Sequence, residues 1–171
     1  MSFMHSNSKR SYTKNMKKKS ILTYILFVVL CLGVGGLATL LTNNQMEAFD
    51  ALKQPRLSPP SAVFPIVWSI LYTLMGISAA AVYLKKPIGV KREHVAFFIQ
   101  LVLNFLWTIL FFGFGLYLIA FFELLALIAA VLIMTVQFAK KERWAGAVQV
   151  PYLLWLCFAA YLNLSIHLLN G

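Results

Sequence analysis

Apolar residues along this chain recur neither at every second position nor every three to four. They fill whole blocks. Five such blocks lie at about 21–41, 62–84, 95–112, 116–139 and 145–168, broken mainly by small, hydroxyl, aromatic or amide residues and by one acid. A helix rising about 1.5 Å per residue needs roughly 20 residues to cross about 30 Å of hydrocarbon, so each block predicts a membrane-spanning helix. Strands of a membrane barrel would be about half as long. The fold class expected is an all-α integral membrane protein: a five-transmembrane-helix bundle forming a single domain over 21–170. Residues 1–20 are polar and basic without hydrophobic period, and are expected to form a disordered tail.

Breaker residues divide the blocks. Pro55, Pro59 and Pro60 fix their own φ and push each preceding residue toward extended geometry, so the connection over 42–61 is expected to be a stiff folded-back loop, read as a lid. Pro65 lies near the start of the second block, where a missing N–H is tolerated because the first helical turn has no partner for it. Pro87 helps stop that helix, and Gly113-Phe114-Gly115 is a turn short enough to make the third and fourth helices antiparallel neighbours. Pro151 falls inside the fifth block and predicts a mid-helix kink.

Composition supports the membrane reading: 61% of the 171 residues are hydrophobic and only 12% charged, with a mean hydropathy of +0.80. A net charge of +10 would suggest nucleic acid in a soluble protein, but here its distribution decides. The N-terminal segment and the second and fourth connections carry 13 of the 15 Lys and Arg, and Lys53 and Arg56 alone fall on the other side. By the positive-inside rule the N-terminus is expected in the cytoplasm, with the loop 42–61 and the C-terminus outside, and a bacterial plasma membrane is the expected location. No basic patch is interleaved with exposed aromatics, so no nucleic-acid partner is expected. Met16-Lys-Lys-Lys-Ser before an apolar run also resembles the start of a signal peptide, with Met16 as an alternative start; the length of that run and the lack of a small-x-small site before Thr42 favour a retained helix. Cys31 and Cys157 both fall mid-span, and neither spacing nor context suggests a disulfide or a metal site.

Candidate chemistry sits on helical faces. Trp68 and Tyr72 are four apart and share a face of the second helix; Gln100, Asn104, Trp107 and Phe111 share one on the third. The buried amides read equally as helix-to-helix hydrogen bonds or as groups that orient a ligand. Tyr152, Trp155, Ala159 and Asn163 form a stripe on the fifth helix with an aromatic floor and a small residue that leaves room. Gly33, Gly35 and Gly36 allow either close helix approach or ligand space, and Glu123 is a lone intramembrane acid, a functional candidate by default.

Taken together, ALKQPRLSPP followed by FPIVWSILY, then QLVLNFLWTILFFG, RWAG and PYLLWLCFAAYLN resemble the tryptophan-rich sensory protein, or translocator protein, family over about residues 33–163. That resemblance implies a five-helix bundle, often a homodimer, that binds tetrapyrroles such as protoporphyrin IX and haem, with no resident cofactor or metal. It implies a porphyrin-binding site lined by Phe49, Trp68, Tyr72, Asn104, Trp107, Trp155 and Ala159 beneath a lid containing Pro55, Leu57, Pro59 and Pro60. The function it implies is porphyrin sensing, transport or clearance. The alternatives are a light- and oxygen-dependent porphyrin-degrading enzyme using Trp68 and Trp155, or a small transporter or scaffold without tight ligand binding. Leu57 and Gln54 stand where the family loop commonly carries tryptophan and lysine, and no basic residue follows Tyr161 to complete a sterol-recognition pattern.

Overall fold

A computed structural model describes residues 2–42, 49, 51–85 and 92–171, with side chains from residue 17 onward. The order is α1 (Ser2–Thr42), α2 (Val63–Lys85), α3 (Arg92–Thr108) continuing as a π-helical turn (Ile109–Gly113), α4 (Tyr117–Lys141), a short α5 (Arg143–Ala147) and α6 (Val150–Asn170). The protein is all-α, and five segments are long and apolar enough to cross a membrane: Lys17–Thr42, Val63–Lys85, Arg92–Gly113, Tyr117–Lys141 and Arg143–Asn170. The loop residues Glu47 and Asp50, and Lys86, Pro87, Gly89 and Lys91 of the second connection, lie outside the described residues.

Boundaries follow local chemistry. No Pro or Gly precedes Gly33, so nothing in the backbone stops α1 at the start of the apolar block. The helix runs back to Ser2, through the stretch where a disordered tail was expected. Pro60 and Ser61 carbonyls accept from Val63 N (2.9 Å) and Phe64 N (3.2 Å), which starts α2 with Pro65 in its first turn. In the π turn, Phe114 N donates to Ile109 O at 3.0 Å, an i→i+5 bond that inserts one residue and rotates the downstream side chains around the helix. Gly115 then takes φ +63°, a left-handed value that glycine adopts without strain, and reverses the chain into α4.

The expected mid-helix kink at Pro151 is replaced by a break. Pro151 stands in the first turn of α6, after α5 and the turn at 148–149. Its missing N–H and its ring clash with the preceding turn are both avoided there, so the chain restarts the helix instead of bending it.

α1 packs on α2 and α3, α3 on α4, and α4 on α6, while α2 also reaches α4 and α5. The core of α4 is one face, with Leu124, Leu127, Val131 and Met134 all fully buried. Cys31 is a free, buried thiol on α1; Cys157 is free and exposed. At one end, Lys85 pairs with Glu142, and Lys141 Nζ lies 3.5 Å from Glu93 Oε1. At the other end Lys53 N donates to Asn170 Oδ1 (2.9 Å) and Asn170 Nδ2 donates to Lys53 O (3.1 Å), which ties the first loop to the C-terminus. The two belts mark opposite ends of one bundle.

Candidate functional site

A hollow of about 550 Å³ lies among α1, α2 and α3. Its wall is Leu32, Gly35, Gly36, Thr39 and their neighbours on α1, Phe64, Pro65, Trp68, Ser69 and Tyr72 on α2, and Trp107 and Thr108 at the end of α3 with Phe112 in the π turn that follows. Three of the residues expected at the site from sequence, Trp68, Tyr72 and Trp107, meet on this wall. Trp68 lies 5.6 Å from Tyr72, 6.0 Å from Trp107 and 6.1 Å from Tyr152 between ring centroids, and Trp107 stacks on Phe111 at 5.4 Å.

Behind the rings runs a chain of buried hydrogen bonds. Tyr72 OH donates to Asn104 Oδ1, Asn104 Nδ2 donates to Tyr152 OH at 2.8 Å, and Tyr152 OH donates to Gln100 Oε1 at 3.1 Å. Gln100 Nε2 then meets Met75 Sδ at 3.0 Å. Asn104 is fully buried, off the cavity wall, with its oxygen and its amide nitrogen both engaged. It acts on the cavity through Tyr72, whose ring it holds in place. A second chain fixes Trp107: its Nε1 donates to Asn163 Oδ1 at 3.1 Å, and Asn163 Nδ2 donates to Tyr117 O at 2.7 Å.

The remaining expected residues lie apart from that wall. Phe49 and Ala159 border a small void of about 10 Å³ together with Phe64, Trp107, Phe111 and Phe112. Phe49 is buried there, 5.2 Å from Phe112 and 6.2 Å from Phe64. Gln54 Nε2 holds the Phe49 carbonyl at 2.9 Å, and Ser58 Oγ in turn donates to Gln54 Oε1 at 3.0 Å, so the loop positions Phe49 through amide and hydroxyl contacts. Pro55, Pro59 and Pro60 line a shallow hollow beside Phe49, while Leu57 points outward and is 66% exposed. Trp155 stands on the far side of Phe64, 5.9 Å ring to ring, and borders a groove between α2 and α6 instead of the cavity.

Sequence reasoning did not single out Phe64 and Phe112 or the hydroxyls Thr42, Ser69 and Thr108, all of which line the cavity. A signal for Ser69 was available: it follows Trp68 and precedes Tyr72 by three, inside an otherwise apolar run. Glu123 is off this wall, with both carboxylate oxygens shielded and no hydrogen-bond partner among the described residues. Among the described residues no three His, Cys, Asp or Glu side chains converge as a metal site would require. What the arrangement offers is a neutral slot with aromatic faces, suited to holding a flat apolar molecule.

Comparison with known proteins agrees with this architecture. The tryptophan-rich protein TspO of Chlorobaculum tepidum is 36% identical over 158 residues, covering 89% of this chain and 98% of that protein. The protein of the same name from Archaeoglobus fulgidus is 34% identical, covering 89% and 99% respectively. The translocator protein of Ovis aries is 31% identical over 67% of this chain and 70% of its own length. Residues 27–169 match the model of the TspO/MBR family, a region that takes in three complete spans, all but the last residue of a fourth, most of the apolar part of α1 and every residue of the cavity wall. The chain is an integral membrane protein of the TspO/MBR family.

Proposed function

We propose that this protein is a membrane-embedded binding protein for flat hydrophobic tetrapyrroles such as protoporphyrin IX, acting in porphyrin sensing, transport or clearance. The observation that carries the proposal is the convergence of Trp68, Tyr72 and Trp107 on one cavity of about 550 Å³, within the usual size range of small-molecule sites. Two indole faces and a phenol give a planar ring stacking partners, and Asn104 and Asn163 hold two of those side chains through hydrogen bonds. None of the wall residues is His, Cys or Met, so the wall lacks the nitrogen and sulfur ligands that usually hold haem iron, which favours a metal-free porphyrin over haem.

Phe49 and Ala159 belong to the same reading as the flank that opens when a ligand larger than the cavity is seated, and Trp155 supports Phe64 from behind. The charge asymmetry supports a cytoplasmic N-terminus in a bacterial plasma membrane, and an apolar α3 face with Val95, Phe98, Ile99 and Val102 exposed suits a homodimer.

The test is quenching of tryptophan fluorescence by protoporphyrin IX in the dark. Saturable quenching that weakens at least tenfold in Trp68→Leu and Trp107→Leu, with helicity intact, is the expected result. Unchanged affinity in both variants would remove the cavity from the argument. Illumination then separates binding from light-driven degradation, since a binder returns the porphyrin spectrum unchanged.

A further inference from the structure

The cavity wall has a definite hydrogen-bonding polarity. Thr39 Oγ1 donates to Gly35 O at 3.0 Å, Thr42 Oγ1 to Ala38 O at 3.0 Å, Ser69 Oγ to Pro65 O at 2.7 Å and Thr108 Oγ1 to Asn104 O at 3.2 Å. Each hydroxyl has spent its one proton on the carbonyl four residues back, and keeps acceptor capacity on its oxygen. Tyr72 OH and Trp107 Nε1 have likewise given their protons to Asn104 and Asn163. Trp68 Nε1 alone among the wall's N–H and O–H groups donates to no described residue. The wall therefore presents several acceptors and one free donor.

Two further features constrain what can occupy it. No Asp, Glu, Lys, Arg or His lies on the wall, so an ionised ligand group would enter hydrocarbon depth without a counter-charge, which is strongly unfavourable. The wall also includes Leu32 and Leu40 of α1, 38% and 77% exposed on a bilayer-facing helix, and a Cβ added at Gly36 would meet nothing within 4 Å. The hollow is continuous with the lipid side of the α1–α2 seam.

We infer that this cavity selects an uncharged, planar ligand that presents N–H or O–H donors at its edge and reaches the site sideways from the hydrocarbon, with Thr39, Ser69 and Thr108 accepting those donors. The inference takes the cavity as the ligand site, as proposed above, but does not require a tetrapyrrole. A tetrapyrrole acid would fit only with its carboxyl groups outside this wall.

The matched pair carbazole and N-methylcarbazole isolates the donor: both are flat and uncharged, and only the first has an N–H. Binding is read by competition and fluorescence quenching on the full chain in lipid nanodiscs, with each affinity corrected for the probe's own partition into protein-free nanodiscs. Carbazole is expected to bind about three- to tenfold tighter. That preference should shrink toward unity in Thr39→Val, Ser69→Ala and Thr108→Val combined, while N-methylcarbazole affinity stays unchanged and so reports an intact fold; the single variants share the loss if the triple does not fold. Equal binding of the two probes, binding of neither, or a preference that survives all three substitutions would overturn the inference. Protoporphyrin IX against its dimethyl ester tests the charge: the ester should bind at least as tightly, and a tighter, salt-sensitive diacid would refute the uncharged ligand. If neither porphyrin form quenches while carbazole binds selectively, the tetrapyrrole reading fails and this one stands.

Discussion

The α1–α2 seam offers the sharpest test of the packing, at Gly76. A Cβ built there would lie 2.6 Å from Val28 Cα, 2.8 Å from Val28 N and 2.9 Å from Phe27 O, all backbone atoms that no rotamer change can move. Normal carbon contacts lie at about 3.5–4.0 Å, so Gly76→Ala must part α1 and α2 by about 1 Å at this level. Overpacking of this kind costs about 1–3 kcal/mol. Against that stands the helix-propensity gain of Ala over Gly, about 1 kcal/mol. Gly33 supplies the control, because its Cβ would meet nothing within 4 Å, and Gly33→Ala should therefore show the propensity gain alone. Unfolding of both variants in mixed detergent micelles is expected to place Gly76→Ala below Gly33→Ala by about 1–3 kcal/mol. If Gly76→Ala matched or exceeded the control, the close approach of the two helices would be wrong, and with it the geometry of the cavity they enclose.

Other perturbations reach the same architecture from different sides. Asn104→Leu leaves the Tyr72 and Tyr152 phenols without their shared amide and should cost about 1–3 kcal/mol in detergent unfolding; a neutral result would mean the phenols find other partners. Gly35→Ala drives a methyl into the edge of the Tyr72 ring, so porphyrin or carbazole affinity should fall about tenfold with little loss of helicity by circular dichroism, and an unaltered affinity would detach Tyr72 from the site. Because Cys31 is buried and Cys157 exposed, a membrane-permeant maleimide should label Cys157 first, and Gly76→Ala should speed labelling of Cys31 alone; mass spectrometry of the two peptides decides. Glu142→Gln should change stability by no more than about 1 kcal/mol, since the Lys85 side chain it pairs with is 62% exposed.

The spans were legible because hydrocarbon demands long uninterrupted apolar runs, and all five blocks became helices that meet that length. Trp68, Tyr72 and Trp107 were legible too, since aromatic side chains one turn apart must share a face. What spacing could not give was depth. Tyr152 and Trp155, three apart, differ by about 60° around a helix of about 3.6 residues per turn. That rotation is enough to put Tyr152 in the centre of the bundle, 1% exposed, and Trp155 on the α2–α6 side. Asn104 could be placed on the right face, but only the partners on α2 and α6 show that its amide is already engaged. Phe64 and Phe112 carried no distinguishing signal in the apolar runs, and it is the first turn of α2 and the π turn of α3 that place them on the cavity wall. Pro151 misled because a proline inside an apolar block can bend a helix or restart one, and the choice rests on the turn at 148–149 and on the packing of α5.

The walls of the cavity are held by different forces. Inside a bilayer apolar contact gives little net drive for helices to associate, so small-residue packing and interhelical hydrogen bonds fix their positions. The chain from Tyr72 through Asn104 and Tyr152 binds α2, α3 and α6 together, and the bonds from Trp107 through Asn163 to Tyr117 add the start of α4. α1 supplies no side chain to either network; its hydroxyls Thr23, Thr39 and Thr42 bond only to its own carbonyls. It is held against α2 by the close approaches at Gly76 and Gly35 and by the ring contact of Phe27 with Tyr83 at 5.6 Å, and against α3 by that of Phe27 with Phe97 at 5.7 Å. Contacts of this type weaken gradually with separation, whereas a buried hydrogen bond is kept or lost. The cavity therefore has walls on α2 and α3 that are tied by polar networks and a wall on α1 that is held by packing and can yield. The same division explains why the stacking residues Trp68, Tyr72 and Trp107 all lie on the tied helices, while α1 contributes small side chains and hydroxyls.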